Sequence, residues 1–204
     1  MAEQDSQASQ PAQGSSPDPA QLFPFPLDDF QLEAIDALNQ GHSVVVSAPT
    51  GSGKTLVGEY AIHRAMAHGQ KVFYTTPLKA LSNQKLRDFR EQFGAENVGL
   101  MTGDLSVNRE ASIVVMTTEI FRNMLYAEAD EHDDPLADVE AVVLDECHYM
   151  NDSQRGTVWE ESIIHSPPPV QLVALSATVA NAGQLTDWIE KVHGPTRLVL
   201  SDFR

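Results

Sequence analysis

The strongest constraint on the fold of this chain is the stretch "VVVSAPTGSGKTLVGEYAIH", residues 44–63. An apolar run of strand type enters a turn that contains Gly51 and Gly53, and a helical pattern follows the turn. The pattern predicts a strand over Ser43–Ser47 and a helix over Lys54–His68. The turn between them would lie at the carboxyl edge of a sheet, which is where open α/β sheets bind ligands.

The rest of the chain repeats this alternation of strand and helix. Continuous apolar strands separated by helices are typical of a parallel sheet that is covered on both faces. The sequence therefore predicts an α/β fold with a parallel β-sheet flanked by helices on both faces. The remaining predicted elements are helices over Asp28–Asn39, Leu78–Gln92, Glu119–Tyr126, Thr157–Ile164 and Ala182–Val192, and strands over Lys71–Thr76, Val98–Met101, Ile113–Thr117, 139–146, 170–177 and Arg197–Leu200.

Length and composition are those of one domain with a short tail, since the chain has 204 residues. Residues 1–21 are rich in Gln, Ser, Ala and Pro without apolar periodicity, so we expect a disordered N-terminal tail and a folded domain over 22–204. No apolar run approaches the roughly 18 residues of a membrane span. The single cysteine, Cys147, excludes an internal disulfide, which fits a reducing, cytoplasmic compartment.

The net charge of −16 argues against nucleic acid as a partner, but the charges are segregated along the chain. Residues 127–140 hold seven acidic residues and no basic one, and we interpret them as a solvated acidic loop. By contrast, residues 78–90 hold Lys79, Lys85, Arg87 and Arg90 against one acidic residue. The global charge therefore leaves a local basic surface possible. The alternative for this segment is an amphipathic helix with a solvated basic face, above all at Lys85 and Arg87.

The turn "APTGSGKT" is suited to phosphate. Successive backbone N–H groups and the positive end of the following helix can point at one anion. Lys54 would reach the β- and γ-phosphates of a nucleotide, and the hydroxyl of Thr55 would hold Mg²⁺. The alternative is an ordinary Gly/Ser surface turn before a helix. The expected nucleotide-binding residues of this turn are Ala48, Pro49, Thr50, Gly51, Ser52, Gly53, Lys54 and Thr55.

Two carboxylates end a later apolar strand, in "AVVLDECHYM". Asp145 would bind Mg²⁺ through water, and Glu146 would orient and deprotonate an attacking water. With Lys54 they form the expected catalytic set. The alternative is a pair of solvated acids that cap a strand.

The two residues that follow these carboxylates invite separate interpretations. Cys147 beside a histidine could be a nucleophile, but the pattern favours a small packing residue. We expect the imidazole of His148 to accept or donate hydrogen bonds with Ser176 and Thr178, which end the next strand. The alternative is a satisfied polar contact with no function.

Seven segments in this order resemble the motifs of superfamily-two DExH-box RNA helicases: "FQLEA", "APTGSGKT", "TTPLKALSNQK", "MTGD", "TTEIFRNM", "DECHYM" and "LSAT". "FPFPLDDFQ", "RGTVWEE" and the terminal "SDFR" further resemble the superkiller and exosome-associated branch. The resemblance runs from about Leu22 to Arg204. It implies a RecA-like P-loop domain, the first of the two lobes of such an enzyme, with ATP and Mg²⁺ as its ligands.

The resemblance also assigns roles around the nucleotide. Gln31 would read the edge of adenine and Phe25 would stack on its ring; an amide and an aromatic ring suit those tasks. His148, Ser176 and Thr178 would couple hydrolysis to strand movement.

Single-stranded RNA is the partner that the resemblance implies. Its contacts would be mostly with phosphate and sugar, which gives binding without sequence choice. The implied RNA-binding residues are Pro77, Lys79, Asn83, Thr102, Gly103, Thr118 and Arg122.

A second RecA-like lobe and a helical domain are expected beyond this chain, because enzymes of this type close ATP between two lobes and take arginine fingers from the second. We therefore expect the isolated chain to be largely inactive. The leading hypothesis is the ATP-binding lobe of an ATP-dependent RNA helicase that acts in RNA processing. The alternatives are the same lobe of a DNA helicase, and a stand-alone nucleotide-binding or adaptor module without unwinding activity.

Overall fold

The computed structural model describes residues 14–127, 134–151 and 156–202. Helices and strands alternate along most of this chain, as the sequence predicts. The helices are α1 (Pro19–Leu22), α2 (Asp29–Asn39), α3 (Thr55–Ala67), α4 (Lys79–Phe93), α5 (Thr118–Tyr126), α6 (Gly156–His165) and α7 (Ala182–Val192). The strands are β1 (Ser43–Ser47), β2 (Lys71–Thr76), β3 (Val98–Met101), β4 (Ser106–Val107), β5 (Ile113–Thr117), β6 (Val139–Leu144), β7 (Gln171–Ser176) and β8 (Thr196–Leu200). Two short 3₁₀ helices cover Ala95–Asn97 and Cys147–Asn151.

The described strands form one eight-stranded sheet in the order β4-β3-β5-β2-β6-β7-β1-β8. All neighbouring pairs are parallel except β3 and β4, which are antiparallel. The carboxyl ends of the parallel strands consequently lie along one edge. The loops that follow them carry most of the motifs identified in the sequence.

Alternation along the strands builds two hydrophobic layers. Val44 and Val46 point into one layer and Val45 into the other, as a two-residue period requires. The first layer also contains buried residues of α2, α3 and α4, and the second contains buried residues of α5, α6 and α7. The prediction of helices on both faces of the sheet is confirmed.

The N-terminal boundary differs from the prediction. Residues 14–21, which we expected to be disordered, are described and include α1. The backbone carbonyl of Pro17 accepts a 3.0 Å hydrogen bond from the hydroxyl of the buried Tyr60. Asp18 caps α1 through a side-chain contact with the N–H of Ala20. Residues 1–13 of the expected tail lie outside the described residues, as do 128–133 of the expected acidic loop.

The sequence also missed β4, because two residues are too short for a periodic pattern. This strand lies close against β3. A Cβ at Gly99 would approach the carbonyl oxygen of Asn108 to 2.0 Å, so the packing requires glycine there. Within the described ranges, none of the helices has both the length and the apolarity needed to cross a membrane.

Candidate nucleotide and nucleic-acid site

The phosphate-type turn lies between the end of β1 and the start of α3. Gly51 and Gly53 have φ values of +82° and +85°, in the left-handed region that favours glycine. A Cβ at Gly53 would lie 2.8 Å from Nε2 of Gln31, whereas one at Gly51 would meet nothing within 4 Å. Thr55 is the first residue of α3, so its backbone N–H lies at the N-terminal end of the helix, which attracts anions.

Two side chains of this turn fit a bound phosphate. Lys54 is buried, with 7% of its surface exposed, and no described carboxylate lies within ion-pair distance of its ammonium group. The hydroxyl oxygen of Ser52 is buried and has no hydrogen-bond partner among the described residues. A buried charge without a partner is costly, so both groups match a site that a polyanion completes.

Gln31 is tied to this turn from the neighbouring helix. Its Nε2 donates a 3.0 Å hydrogen bond to the carbonyl of Gly53, and its Oε1 accepts a 2.8 Å hydrogen bond from the N–H of Asp28. The second contact belongs to a capping box that begins α2. One amide hydrogen and one lone pair of Gln31 are left over, which is the donor–acceptor pair that an adenine edge would use.

Phe25 lies on the protein surface near this end of α2. It is 53% exposed and its ring centroid is 6.0 Å from that of Phe23. Together with Leu27 and Leu32 these rings line an open groove. Its assignment to adenine stacking stays a prediction.

Asp145 follows β6 directly and is buried, with 5% of its surface exposed. Its Oδ1 accepts a 2.8 Å hydrogen bond from the N–H of Glu146, and its Oδ2 accepts one of 2.7 Å from the hydroxyl of Tyr74. Burial and the charge of Asp145 raise the pKa of Tyr74 well above its ordinary value, so this hydroxyl is a donor. The ammonium group of Lys85 lies 4.0 Å from Oδ2.

The position of Lys85 contradicts the interpretation of its helix face as solvated. Only 21% of its side chain is exposed, and its ammonium group lies over the rings of Tyr74 and Phe89 at 5.5 and 5.7 Å from their centroids. Neither Tyr74 nor Lys85 was among the predicted site residues. A tyrosine within an apolar strand has the appearance of a core residue, and its hydroxyl partner lies 71 positions away in the sequence.

Glu146 adopts a left-handed backbone conformation with φ of +56°, which is uncommon for a residue other than glycine. Such local strain is concentrated at functional sites. Its Oε2 lies 3.1 Å from Nε2 of His148. The backbone N–H of Ala177 donates a 3.3 Å hydrogen bond to Nδ1 of the same imidazole. His148 therefore joins the carboxylate after β6 to the segment after β7.

The expected partners of His148 were wrong in detail, because a backbone N–H takes the place of the hydroxyl groups. Ser176 Oγ donates instead to the carbonyl of Ala177, at 2.7 Å, and Thr178 is exposed. Sequence patterns cannot distinguish these outcomes, since every residue except proline carries the same N–H. Cys147 is buried, and burial raises the pKa of its thiol to about 12, so the structure agrees with a packing role.

The predicted RNA residues follow three neighbouring strands. Pro77 comes after β2, Thr118 after β5, and Thr102 and Gly103 after β3, and these strands are adjacent in the order β3-β5-β2. The predicted catalytic carboxylates, coupling residues and phosphate turn lie at the ends of β6, β7 and β1, the next three strands in the sheet. The carboxyl edge is thus divided into two halves that meet between β2 and β6.

Several of the predicted RNA side chains already have protein partners. Lys79, at the start of α4, forms an ion pair with Asp104, which lowers the pKa of that carboxyl group. Thr118 is buried and donates to the carbonyl of Thr76 at 3.2 Å. Thr102 Oγ1 lies 3.4 Å from the carbonyl of Leu105.

Arg122 and Asn83, two further members of this set, differ in their contacts. Arg122 reaches Glu161 at 3.4 Å, and Asn83 is partly exposed on α4. The arrangement brings these residues to one edge of the sheet, and their contact with RNA stays a prediction.

Two features define a P-loop nucleotide-binding domain of RecA-like fold. One is a glycine-rich turn whose buried lysine has no ion-pair partner in the described part of the chain, and the other is an aspartate at the end of a strand two positions away in the sheet. Residues 28–185 match the DEAD/DEAH box helicase family. The chain belongs to that family. Its expected class and fold are therefore confirmed, with the one antiparallel strand β4 as a correction.

Known proteins give the same result. The chain is 56% identical over 185 residues to "DExH-box ATP-dependent RNA helicase DExH15 chloroplastic" of Arabidopsis thaliana, covering 90% of this chain and 16% of that protein. It is 50% identical over 185 residues to "Antiviral helicase SKI2" of Saccharomyces cerevisiae, covering 91% and 14%. The solved structure of the helicase Lhr of Mycobacterium smegmatis, bound to ssDNA and AMP-PNP, superposes with a TM-score of 0.71 at 28% identity, covering 89% of this chain and 26% of that one. The chain spans 14% to 16% of the length of the two curated relatives.

Proposed function

We propose that this chain is the ATP-binding lobe of an ATP-dependent RNA helicase, in which Mg²⁺-dependent ATP hydrolysis drives movement along single-stranded RNA and unwinding. The observation that carries the proposal is Lys54, a buried lysine without an ion-pair partner among the described residues, in a turn whose glycines have positive φ. The similarity to relatives named as RNA helicases supports RNA as the nucleic acid.

The nucleotide is held by the β1–α3 turn, which comprises residues 48–55. Lys54 and the N–H groups of the turn bind the phosphates, and Gln31 and Phe25 select the base. Mg²⁺ would neutralise charge that develops on the phosphates during transfer. Thr55 and Asp145, the latter through water, would hold the ion.

Glu146 has the geometry of a base that His148 orients. Its carboxylate lies beside the imidazole, whose other nitrogen accepts from the backbone of Ala177. In the proposed mechanism Glu146 holds the attacking water and accepts its proton. A shift of the segment Ser176–Thr178 would move His148 and so change the orientation of Glu146, which couples hydrolysis to movement along the strand.

RNA would lie across the half of the carboxyl edge formed by β3, β5 and β2. Lys79 is exposed there, and RNA phosphate would have to replace Asp104 as its partner. A DNA helicase is the second candidate, because the Lhr structure that this fold resembles was solved with ssDNA. Competition between RNA and DNA oligonucleotides of one sequence separates the two. Equal or stronger competition by DNA would favour the second candidate.

We propose that a second RecA-like lobe and a helical domain complete the enzyme, since the relatives are several times longer than this chain. An arginine finger from another lobe contributes roughly 10³ to 10⁵ in rate where enzymes use one. The domain would span residues 22–204 together with the contacts of residues 14–21. Action in RNA processing and a cytoplasmic location are further parts of the proposal, the latter supported only by the cysteine content.

The test is a steady-state ATPase assay with and without single-stranded RNA. Residues 1–204 alone should hydrolyse ATP slowly, and Glu146→Gln should change that slow rate little. In a polypeptide with both lobes the same substitution should abolish turnover. Robust RNA-stimulated hydrolysis by residues 1–204 would show that the active site is complete without a second lobe, and the half-site proposal would have to be abandoned.

A further inference from the structure

The two halves of the carboxyl edge are joined by a hydrogen bond between neighbouring strands. Tyr74 lies on β2, in the half that carries the predicted RNA residues, and Asp145 follows β6, in the nucleotide half. The tyrosine hydroxyl donates to Oδ2 of the aspartate at 2.7 Å. The hydroxyl of Tyr74 therefore contacts the carboxylate that would hold Mg²⁺ in the proposed function.

Packing holds Tyr74 in one place. The side chain is fully buried, and its ring meets that of Phe89 edge-on with 4.9 Å between centroids. α3 also approaches the ring so closely that a Cβ at Gly58 would lie 3.2 Å from it. The helix that begins at the phosphate turn thus packs directly on the tyrosine. The hydroxyl has little freedom to move away from Asp145, so it fixes the orientation of that carboxylate.

Lys85 approaches the same oxygen from α4. Its stem is mostly covered and its ammonium group lies over two aromatic rings, 4.0 Å from Oδ2 of Asp145. The contact gives a buried carboxylate a partial counter-charge. The helix that carries Lys85 begins with Lys79, one of the predicted RNA residues. A cation beside a carboxylate that holds a metal ion through water attracts the carboxylate and repels the metal ion.

We propose that Tyr74 and Lys85 are positioning residues that set the affinity of this site for Mg²⁺, in opposite directions. Tyr74 favours the ion by presenting Asp145 in one orientation. Lys85 opposes it by holding positive charge next to the oxygen of that carboxylate. Both residues act through Asp145, and the inference rests on the proposed Mg·ATP site.

Groups that hydrogen-bond to metal ligands typically change metal affinity by 10- to 100-fold when they are removed. The Mg²⁺ concentration that gives half-maximal binding of a fluorescent ATP analogue to residues 1–204 should therefore rise about tenfold in Tyr74→Phe. In Lys85→Met it should fall, by about threefold or more, because the repelling charge is gone. Binding in EDTA should be the same in both variants as in wild type.

Tyr60→Phe is the matched control. Tyr60 is also fully buried on the same side of the sheet, and its hydroxyl is bonded to Asn39 and to Pro17, remote from Asp145. Both tyrosine variants should lose thermal stability, but only Tyr74→Phe should shift the Mg²⁺ titration. Lys85→Arg keeps the charge and should remain near the wild-type midpoint.

The outcomes separate this inference from the proposed function. If wild type binds the ATP analogue in an Mg²⁺-dependent way and Tyr74→Phe and Tyr60→Phe have the same midpoint, Tyr74 does not position the carboxylate. A rise rather than a fall in the midpoint of Lys85→Met would overturn the role of Lys85. If Mg²⁺ has no effect on wild type, the Mg·ATP site itself is wrong.

Discussion

Gln31 joins α2 to the phosphate turn, because its Nε2 donates a 3.0 Å hydrogen bond to the carbonyl of Gly53. Gln31 also helps to cap the start of its own helix, because its Oε1 accepts a hydrogen bond from the N–H of Asp28. In the proposed site a base beside α2 would contact Gln31 itself. The phosphates would contact the turn that Gln31 holds through the carbonyl of Gly53. In the proposed site, base choice and phosphate geometry would be physically linked through Gln31.

Replacing Gln31 by glutamate should reduce the preference for ATP over GTP. Glutamate retains the oxygen that accepts from Asp28 but places a second oxygen where Nε2 donated, opposite the carbonyl of Gly53. A bidentate amide contact with a base is worth about 1–3 kcal/mol of discrimination, or roughly 5- to 150-fold. Competition of each nucleotide against a fluorescent analogue measures the preference.

Gln40→Glu, at the other end of α2, is the control for that measurement and should keep the wild-type preference. Its amide bonds to Asp36 and faces solvent. If GTP and ATP compete equally against the analogue on the wild-type protein, the roles assigned to Gln31 and Phe25 are wrong.

Gly99→Ala should destabilise the domain by about 1–3 kcal/mol, because the new methyl group forces β4 away from β3. The closest atom is the carbonyl oxygen of Asn108, at 2.0 Å from the added Cβ. Gly183→Ala, in α7, meets nothing within 4 Å and should instead stabilise by about 0.4–1 kcal/mol. Urea unfolding of both variants checks the signs. A Gly99→Ala protein as stable as wild type would contradict the close approach of the two strands.

His63 should make the domain less stable as the pH falls. It lies on α3 between the rings of Phe23 and Phe93, and burial lowers its pKa below the ordinary 6.5. At a pH between the lowered pKa of the folded protein and the ordinary 6.5 of the unfolded chain, the unfolded chain binds a proton that the folded chain does not. The contribution of His63 to the free energy of unfolding is therefore fully present above pH 6.5 and is lost as the pH falls below it.

The variant that tests this is His63→Phe, which keeps an aromatic ring and removes the titration. Thermal unfolding at a series of pH values from about 5 to 7.5 should show a shallower decline for the variant than for wild type. Parallel curves for the two proteins would mean that His63 contributes nothing to the pH dependence.

The sequence predicted the sheet well because its strands are long apolar runs between helices. The apolar residues before Asp145 and those before Ala48 predict two strands that end at the same edge of the sheet. The motifs lie in the loops that follow these strands. Parallel pairing then brings those loops together without further information. The two-residue strand β4 and the four-residue helix α1 have no such pattern, and the sequence did not predict them.

The side-chain contacts in the candidate site were harder to predict from the sequence than the identity of its residues. Lys85 lies on an otherwise polar helix, and nothing in that helix shows that Asp145 and two aromatic rings face it. Tyr74 has the sequence pattern of a core residue, and its ring is indeed buried in the core. Its hydroxyl, however, bonds to Asp145, which lies far along the chain. His148 was identified, but its partner in the segment after β7 is a backbone N–H, which no side-chain pattern can reveal.

Lys54→Ala should weaken ATP binding to residues 1–204, because it removes a charge-assisted contact worth on the order of 1.5–3 kcal/mol. Calorimetric titration of Mg·ATP into both proteins measures the difference directly. Lys71→Ala is the matched control, since Lys71 lies at the opposite, amino-terminal end of β2 and pairs with Glu110 and Asp138. A loss of affinity of about tenfold or more in Lys54→Ala alone is the predicted result. Equal affinity of the wild-type and Lys54→Ala proteins would contradict the assignment of this turn to phosphate.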